Sequence, residues 1–177
     1  PALSSAASDV YKRQGNNYIT EAIKKGAKVI VSENKIVRNK KENILFLRSS
    51  NVRKLLSKVS YKIFSQKPKK LVGVTGTNGK SSIADFYYQI LDLNSKKVAS
   101  IGTIGIKQQN KTTTLNNTTL DPIQLGSILG DLKKKKIEFV IMEASSHGLN
   151  QNRLDGLSFD IGISVSYTHL TLPTIMP

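Results

Sequence analysis

Apolar residues fall in short continuous runs and in helix-spaced stretches, separated by polar breaks. Asn16 and Asn17 precede Tyr18-Ile19-Thr20-Glu21-Ala22-Ile23-Lys24-Lys25, and Gly26 follows, which reads as a cap, a short helix and a C-terminal stop. Residues 27–31 form an expected strand, and Ile44-Leu45-Phe46-Leu47 a second. Asn51 is placed to cap a helix over 52–65 with Val52, Leu55, Leu56, Val59 and Ile63 on one face. The break Gln66-Lys67-Pro68-Lys69-Lys70 marks the expected domain boundary.

Past that break the pattern becomes that of an α/β domain. Leu71-Val72-Gly73-Val74 is a strand, 81–93 a helix and Val98-Ala99-Ser100-Ile101 a strand, followed by a polar loop over 107–117. Asp121-Pro122 sets a capping acid before a helix-starting proline, and that helix runs to about residue 135. Ile137-Glu138-Phe139-Val140-Ile141-Met142 is nearly continuous in apolar residues, as a strand covered on both faces requires. Residues 157–163 give a fourth strand. The expected fold class is α/β: part of a P-loop central domain with a mostly parallel sheet and helices on both faces, preceded by part of a small α/β N-terminal domain. Right-handed crossovers then bring ligand sites to the strands' carboxyl ends.

Composition narrows the function classes. The 177 residues are 38% apolar and contain no cysteine, which excludes default disorder, a disulfide framework, a cysteine zinc site and a thiol nucleophile. No apolar run approaches the roughly 18 residues that span a bilayer. The N-terminus lacks the basic-then-apolar order of a secretory signal, so a cytoplasmic setting is expected. The formal charge of +15 raises nucleic acid as a partner. However, lysine supplies 22 of the 27 basic residues, whereas base reading and bidentate phosphate contacts favour arginine. The few aromatics do not interleave with the basic runs. A lysine-rich solvated surface accounts for the charge, and Lys133-Lys134-Lys135-Lys136 complements a helix C-terminus.

The most informative string is Gly73-Val74-Thr75-Gly76-Thr77-Asn78-Gly79-Lys80-Ser81-Ser82, between a strand and a helix. Glycines let consecutive N–H groups turn toward phosphate oxygens, and the helix N-terminus adds positive potential. Gly76, Thr77, Asn78, Gly79, Lys80, Ser81 and Ser82 are therefore the candidate ATP-phosphate loop. Lys80 reaches for the β/γ-phosphates, and the Ser81 hydroxyl for Mg²⁺. Val74 stands where the strict motif has glycine. Glu143, at the end of the apolar strand, is the candidate carboxylate for the same Mg²⁺ and, with Lys80, the candidate catalytic pair. Ser145-Ser146-His147-Gly148-Leu149, with Gln151 and Arg153, lacks the spacing of a serine hydrolase and an identifiable acid partner. These groups are instead expected to hold an anionic substrate, with Arg153 as a bidentate grip.

Taken together, Gly76-Thr77-Asn78-Gly79-Lys80-Ser81, Gly102-Thr103-Ile104-Gly105, Asn117-Thr118-Thr119-Leu120-Asp121-Pro122 and Glu143-Ala144-Ser145-Ser146-His147-Gly148-Leu149 resemble the Mur ligases. The last string resembles the UDP-N-acetylmuramoyl-tripeptide synthetases in particular. The resemblance covers about residues 15–163. It implies part of a UDP-sugar-binding domain over 15–67 and part of the central ATP-binding domain over 68–163.

It also implies ATP-dependent ligation through an acyl phosphate, adding meso-diaminopimelate or lysine to UDP-MurNAc-L-Ala-D-Glu in peptidoglycan synthesis. Under it Lys80 and the loop take the ATP phosphates, Ser81 and Glu143 take Mg²⁺, and Thr118, Thr119, Ser145, Gln151 and Arg153 hold the UDP-MurNAc-dipeptide. His147 belongs to the matching string, with support of the turn as its expected role. No nucleic acid, no membrane and a monomeric state are expected. A folylpolyglutamate-synthetase-like ligase and a P-loop module associated with nucleic acid are the alternatives. The string at 145–149 argues against the former.

Residues 1–14 and 164–177 match nothing in the family, and both look similar to translated adapter read-through. They are expected to be non-native tails on a fragment that does not ligate by itself. His169 falls out of register with the family's metal-site histidine and lacks the preceding Asp, so it receives no role.

Overall fold

The computed structural model describes residues 18–34, 44–109, 111–114 and 120–165. The two expected tails lie outside these residues except for Ser164 and Val165, and His169 lies outside them too. The chain divides into two compact units, residues 1–56 and 57–177.

In the first unit, α1 (Ile19–Lys24) leads to β1 (Val29–Ser32), and β2 (Leu45–Arg48) leads to α2 (Val52–Ile63). β1 and β2 pair in parallel, Val29 opposite Leu45 and Ser32 opposite Arg48. Asn51 caps α2, its Oδ1 accepting from the backbone N–H of Lys54 at 2.8 Å. The division between units falls inside α2 rather than at the break over 66–70. The reason lies in the second half of that helix: the hydroxyls of Ser57 and Tyr61 both donate to the carbonyl of Arg153, at 3.0 and 2.9 Å. These bonds tie residues from 57 onward to the larger unit.

The second unit contains β3 (Lys70–Gly76), α3 (Lys80–Leu93), β4 (Val98–Gly102), β5 (Gly105–Gln108) and β6 (Lys111–Thr113). α4 (Pro122–Lys134), β7 (Phe139–Glu143), α5 (Ser146–Asn150) and β8 (Ile161–Val165) follow. One six-stranded sheet runs in the order β6-β5-β4-β7-β3-β8. β4, β7, β3 and β8 are mutually parallel, and β5 and β6 add an antiparallel edge.

Alternation along the parallel strands divides the core between the two faces. Leu71, Ala99, Ile101, Val140 and Met142 pack with Leu125, Leu129 and Leu132 of α4. Val72, Val74 and Ile141 pack with Ala84 of α3 on the other side. Each fully buried aliphatic side chain contributes about 1.5–3 kcal/mol. Val74 is wholly buried in this second cluster, which explains a valine where the strict phosphate-loop pattern has glycine.

α4 begins as its sequence suggests, with Asp121 accepting from the N–H groups of Ile123 and Gln124 at 2.9 and 3.0 Å. Three details differ from the expected elements. The segment expected as a polar loop carries the end of β5 and all of β6, whose pairing at the sheet edge needs no apolar alternation. α5 was not expected, because five residues are too few to show a period, and its cap comes from the Ser145 side chain. The last strand lies at Ile161–Val165 instead of 157–163: the Asp160 carboxylate accepts from the Leu71 N–H at 2.9 Å, and the chain joins the sheet only after it.

Candidate nucleotide and metal site

β4, β7 and β3 are neighbours and parallel, so their carboxyl ends open at one edge of the sheet. β3 ends at Gly76 and delivers the loop Thr77-Asn78-Gly79 into α3, whose first residue is Lys80. Gly76 lies at φ +140, and a Cβ there would come 1.6 Å from the carbonyl oxygen of Val165. Only glycine lets the chain turn into the loop at that point. No side chain caps α3, and its first turn carries no acid. The N–H groups of the turn are thus oriented as an anion site is. Thr77, Asn78 and Ser82 are exposed, and Gly79, Lys80 and Ser81 are half-buried.

The Lys80 ammonium folds back on its own loop and donates to the carbonyls of Gly76 at 2.7 Å and Thr77 at 3.2 Å. One helical position on, the Ser81 hydroxyl donates to Oε2 of Glu143 at 3.1 Å. Glu143 closes β7 opposite Val74 of β3 and is only 3% exposed. Thr103, just beyond β4, donates to the same carboxylate twice: its N–H to Oε1 at 3.0 Å and its hydroxyl to Oε2 at 3.1 Å. Gly102 leaves the space the carboxylate occupies, since a Cβ there would lie 2.1 Å from Oε1. A buried carboxylate needs such donors to remain charged. Gly102 and Thr103 have no role assignable from sequence alone. Gly102 ends β4 and Thr103 follows it, and their meaning depends on β4 lying beside β7.

A cleft beside this carboxylate is lined by Ser81, Asp85, Gly102, Lys107 and Glu143 among others. Lys107 of β5 pairs with Asp85 of α3 at 2.7 Å and stands 4.6 Å from the centroid of the Tyr88 ring. The hydrogen bond from Lys107 holds the Asp85 carboxyl below its usual range, against the opposing effect of burial.

The strand end that carries Glu143 also leads into α5. Ser145 caps that helix, its Oγ accepting from the N–H of Gly148 at 3.0 Å. Gln151 is 5% exposed, and its amide lies between two groups: Nε2 is 2.6 Å from Nε2 of His147, and Oε1 accepts from Nε of Arg153 at 2.7 Å. Gln151 and Arg153 are therefore in contact with each other, and Ser145 starts the same turn. Thr118 and Thr119 lie outside the described residues. The arrangement offers a phosphate-type anion site, an oxygen pair suited to a hard cation and, beyond β7, an arginine held by a buried amide.

The Mur ligase middle domain family matches residues 74–171. The match and β8 both pass residue 163, the end of the stretch in which sequence showed the resemblance. The chain is 39% identical over 167 residues to the UDP-N-acetylmuramoyl-L-alanyl-D-glutamate–2,6-diaminopimelate ligase of Buchnera aphidicola subsp. Schizaphis graminum, covering 90% of this chain and 33% of that protein. The ligase of the same name from Alkaliphilus oremlandii is 38% identical over 163 residues, with 91% and 32% covered.

Among solved structures, one of a UDP-N-acetylmuramoyl-L-alanyl-D-glutamate–2,6-diaminopimelate ligase superposes with a TM-score of 0.74 at 28% identity, over 94% of this chain and 34% of that one. The MurF ligase from Thermotoga maritima in complex with ADP shares the fold at a TM-score of 0.52 and 22% identity, over 88% and 32%. The chain spans about a third of the length of the curated relatives it matches.

Proposed function

The chain belongs to the Mur ligase family through its middle domain, and from that membership we propose that residues 68–163 are the ATP-binding part of an ATP-dependent acid–amino-acid ligase. One observation carries the reading: beside a phosphate-loop sequence, the Ser81 hydroxyl meets the buried Glu143 carboxylate at 3.1 Å. Residues 15–67 are assigned to the uridine-nucleotide domain. The relatives' names support UDP-MurNAc-L-Ala-D-Glu and 2,6-diaminopimelate as the pair that is joined, a step this reading places in peptidoglycan synthesis in the cytoplasm.

In this reading the amides of Gly76 to Gly79 and of the first turn of α3, with Ser82, surround the ATP phosphates. Lys80 exchanges the carbonyls of Gly76 and Thr77 for phosphate oxygens. The donor set fits Mg²⁺: a hydroxyl and one carboxylate are hard oxygen ligands, and a cation of this size keeps water and phosphate oxygens in its other positions. Ser81 and Glu143 hold it, and when bound it neutralises charge on the phosphates. Thr118, Thr119, Ser145, Gln151 and Arg153 hold the UDP-MurNAc-dipeptide.

A carboxylate oxygen of the dipeptide attacks the γ-phosphorus, and ADP departs. The amine of the incoming amino acid then attacks the acyl carbon, phosphate leaves, and the amine's proton passes to solvent. Phosphorylation supplies the leaving group that a carboxylate lacks. The protein's share is positioning and charge neutralisation.

Titration calorimetry of the 177-residue chain with Mg·ATP tests this. Binding is expected, and Lys80→Ala is expected to weaken it by about tenfold or more, the scale of lost charge-assisted hydrogen bonds. A wild-type chain that takes up no Mg·ATP, or a Lys80→Ala chain that binds as wild type does, overturns the reading.

A further inference from the structure

Gln151 has both ends of its amide engaged while being nearly buried, and its two partners have unequal freedom. An arginine Nε is a donor only, at any accessible pH. Its 2.7 Å contact therefore identifies Oε1 of Gln151 as the carbonyl end and settles an amide orientation that heavy atoms alone leave ambiguous. The other end is then an NH₂ group, 2.6 Å from Nε2 of His147. A donor at that distance requires a lone pair opposite it. Nε2 must be unprotonated, which leaves the ring proton on Nδ1 and the imidazole neutral. An Nε2–H tautomer or an imidazolium would set N–H against N–H.

We propose that His147 is a positioning residue: as the neutral Nδ1–H tautomer it orients the Gln151 amide, and through it the Arg153 guanidinium, for the substrate's anionic group. The proposal rests on the reading that Arg153 holds substrate. Both neighbours favour the same orientation of the Gln151 amide. Without an acceptor at His147 the Arg153 contact alone opposes the flip, which would turn an NH₂ toward Arg153, donor against donor. The backbone of Arg153 is held separately, its N–H donating to the Gly148 carbonyl at 3.0 Å and its carbonyl accepting from Ser57 and Tyr61. The relay therefore acts on the side chain and not on the place of the turn. A histidine that only supported the turn would have the same tautomer but would leave ligand affinity unchanged when replaced.

The test is a two-bond ¹H–¹⁵N spectrum of the 177-residue chain labelled at histidine, with His147→Gln assigning the resonances against His169. The wild type is expected to show an unprotonated Nε2 and a protonated Nδ1. Gln151→Glu places a carboxylate oxygen, which only accepts, opposite Nε2, and is expected to move a proton onto Nε2. A protonated Nε2 in the wild type, or an unchanged pattern in Gln151→Glu, overturns the relay.

The companion measurement is affinity for UDP-MurNAc-dipeptide. His147→Gln, whose Oε1 is able to accept, is expected to bind within about twofold of wild type. His147→Leu is expected to bind about tenfold more weakly while keeping the wild-type melting curve. Equal affinities in His147→Leu and wild type overturn the positioning role. A wild-type chain that shows the Nδ1–H tautomer yet binds no UDP-MurNAc-dipeptide instead overturns the substrate reading, and the positioning role with it.

Discussion

Oε2 of Glu143 accepts from the Ser81 hydroxyl at 3.1 Å, so the end of β7 is hydrogen-bonded to the first turn of the phosphate-loop helix. Two parallel strands in register, with Val74 opposite Glu143, bring this about. The bond joins a group that follows one strand to a group that ends its neighbour. It also gives Glu143 a measurable role apart from any assay of ligation.

Glu143→Gln keeps the shape of the side chain and removes its charge. The amide oxygen goes to the Thr103 N–H, which has no choice of role, and the NH₂ faces the hydroxyls of Ser81 and Thr103, which rotate to accept. The fold is therefore expected to survive. The tightening of ATP binding by Mg²⁺ is expected to fall by about tenfold or more, a usual consequence of altering a metal's surroundings. Calorimetry with and without Mg²⁺ measures it, and an undiminished Mg²⁺ effect would count against Glu143 as a ligand.

Gly102→Ala tests the space around the same carboxylate. The added methyl would lie 2.1 Å from Oε1 and 2.5 Å from Cδ, so the side chain of Glu143 must move. Both bonds from Thr103 and the one from Ser81 depend on its present place. A loss of about 1–3 kcal/mol is expected from overpacking, together with a weaker Mg²⁺ effect on ATP binding. Chemical denaturation measures the first. A variant as stable as wild type would show that the carboxylate has room to relocate.

Most of the scaffold was legible because burial leaves a period. Leu125, Leu129 and Leu132 recur at helical spacing, and Val140-Ile141-Met142 form the continuous run of a strand covered on both sides. The proposed phosphate loop stands out in the sequence because its glycines and Lys80 belong to a local motif. Thr103 does not, because its meaning depends on β4 lying next to β7, a relation between residues 40 apart in sequence. The partners of His147 were within reach of its own turn, but their roles follow from donor chemistry at known distances and not from spacing. β6 was hidden for another reason: its polar, exposed residues carry no alternation that distinguishes an edge strand from a loop.

Asp160 gives the stability a pH dependence of known sign. Its Oδ2 accepts from the Leu71 N–H and its Oδ1 from the Lys70 ammonium, each at 2.9 Å. The backbone bond first, then the lysine, lowers its pKa below the ordinary 3.8. A carboxyl with a depressed folded-state pKa adds stability above its unfolded pKa and loses it as pH falls through the folded value. Asp160→Asn is therefore expected to melt at a lower temperature than wild type near neutral pH, with the gap narrowing below pH 3.8. Melting curves across that range measure it. A gap independent of pH would assign the effect to packing.

Ser57 and Tyr61 share one acceptor, and the sharing makes their effects unequal to a sum. Both hydroxyls donate to the Arg153 carbonyl, and both side chains are buried. Ser57→Ala or Tyr61→Phe alone leaves that carbonyl the other hydroxyl, so each is expected to cost about 0.5–1.5 kcal/mol, the net worth of an ordinary hydrogen bond. Removing both leaves the oxygen with neither hydroxyl and adds its desolvation penalty, about 1–3 kcal/mol. The double variant should therefore lose more than the two single losses combined, a coupling that a double-mutant cycle in urea reads directly. Strict additivity would mean that water reaches the carbonyl once either hydroxyl is gone. Because the same carbonyl belongs to Arg153, the double variant is also expected to weaken UDP-MurNAc-dipeptide binding while leaving Mg·ATP affinity near that of wild type. Equal losses for both ligands would indicate general loosening of the unit instead of a displaced turn.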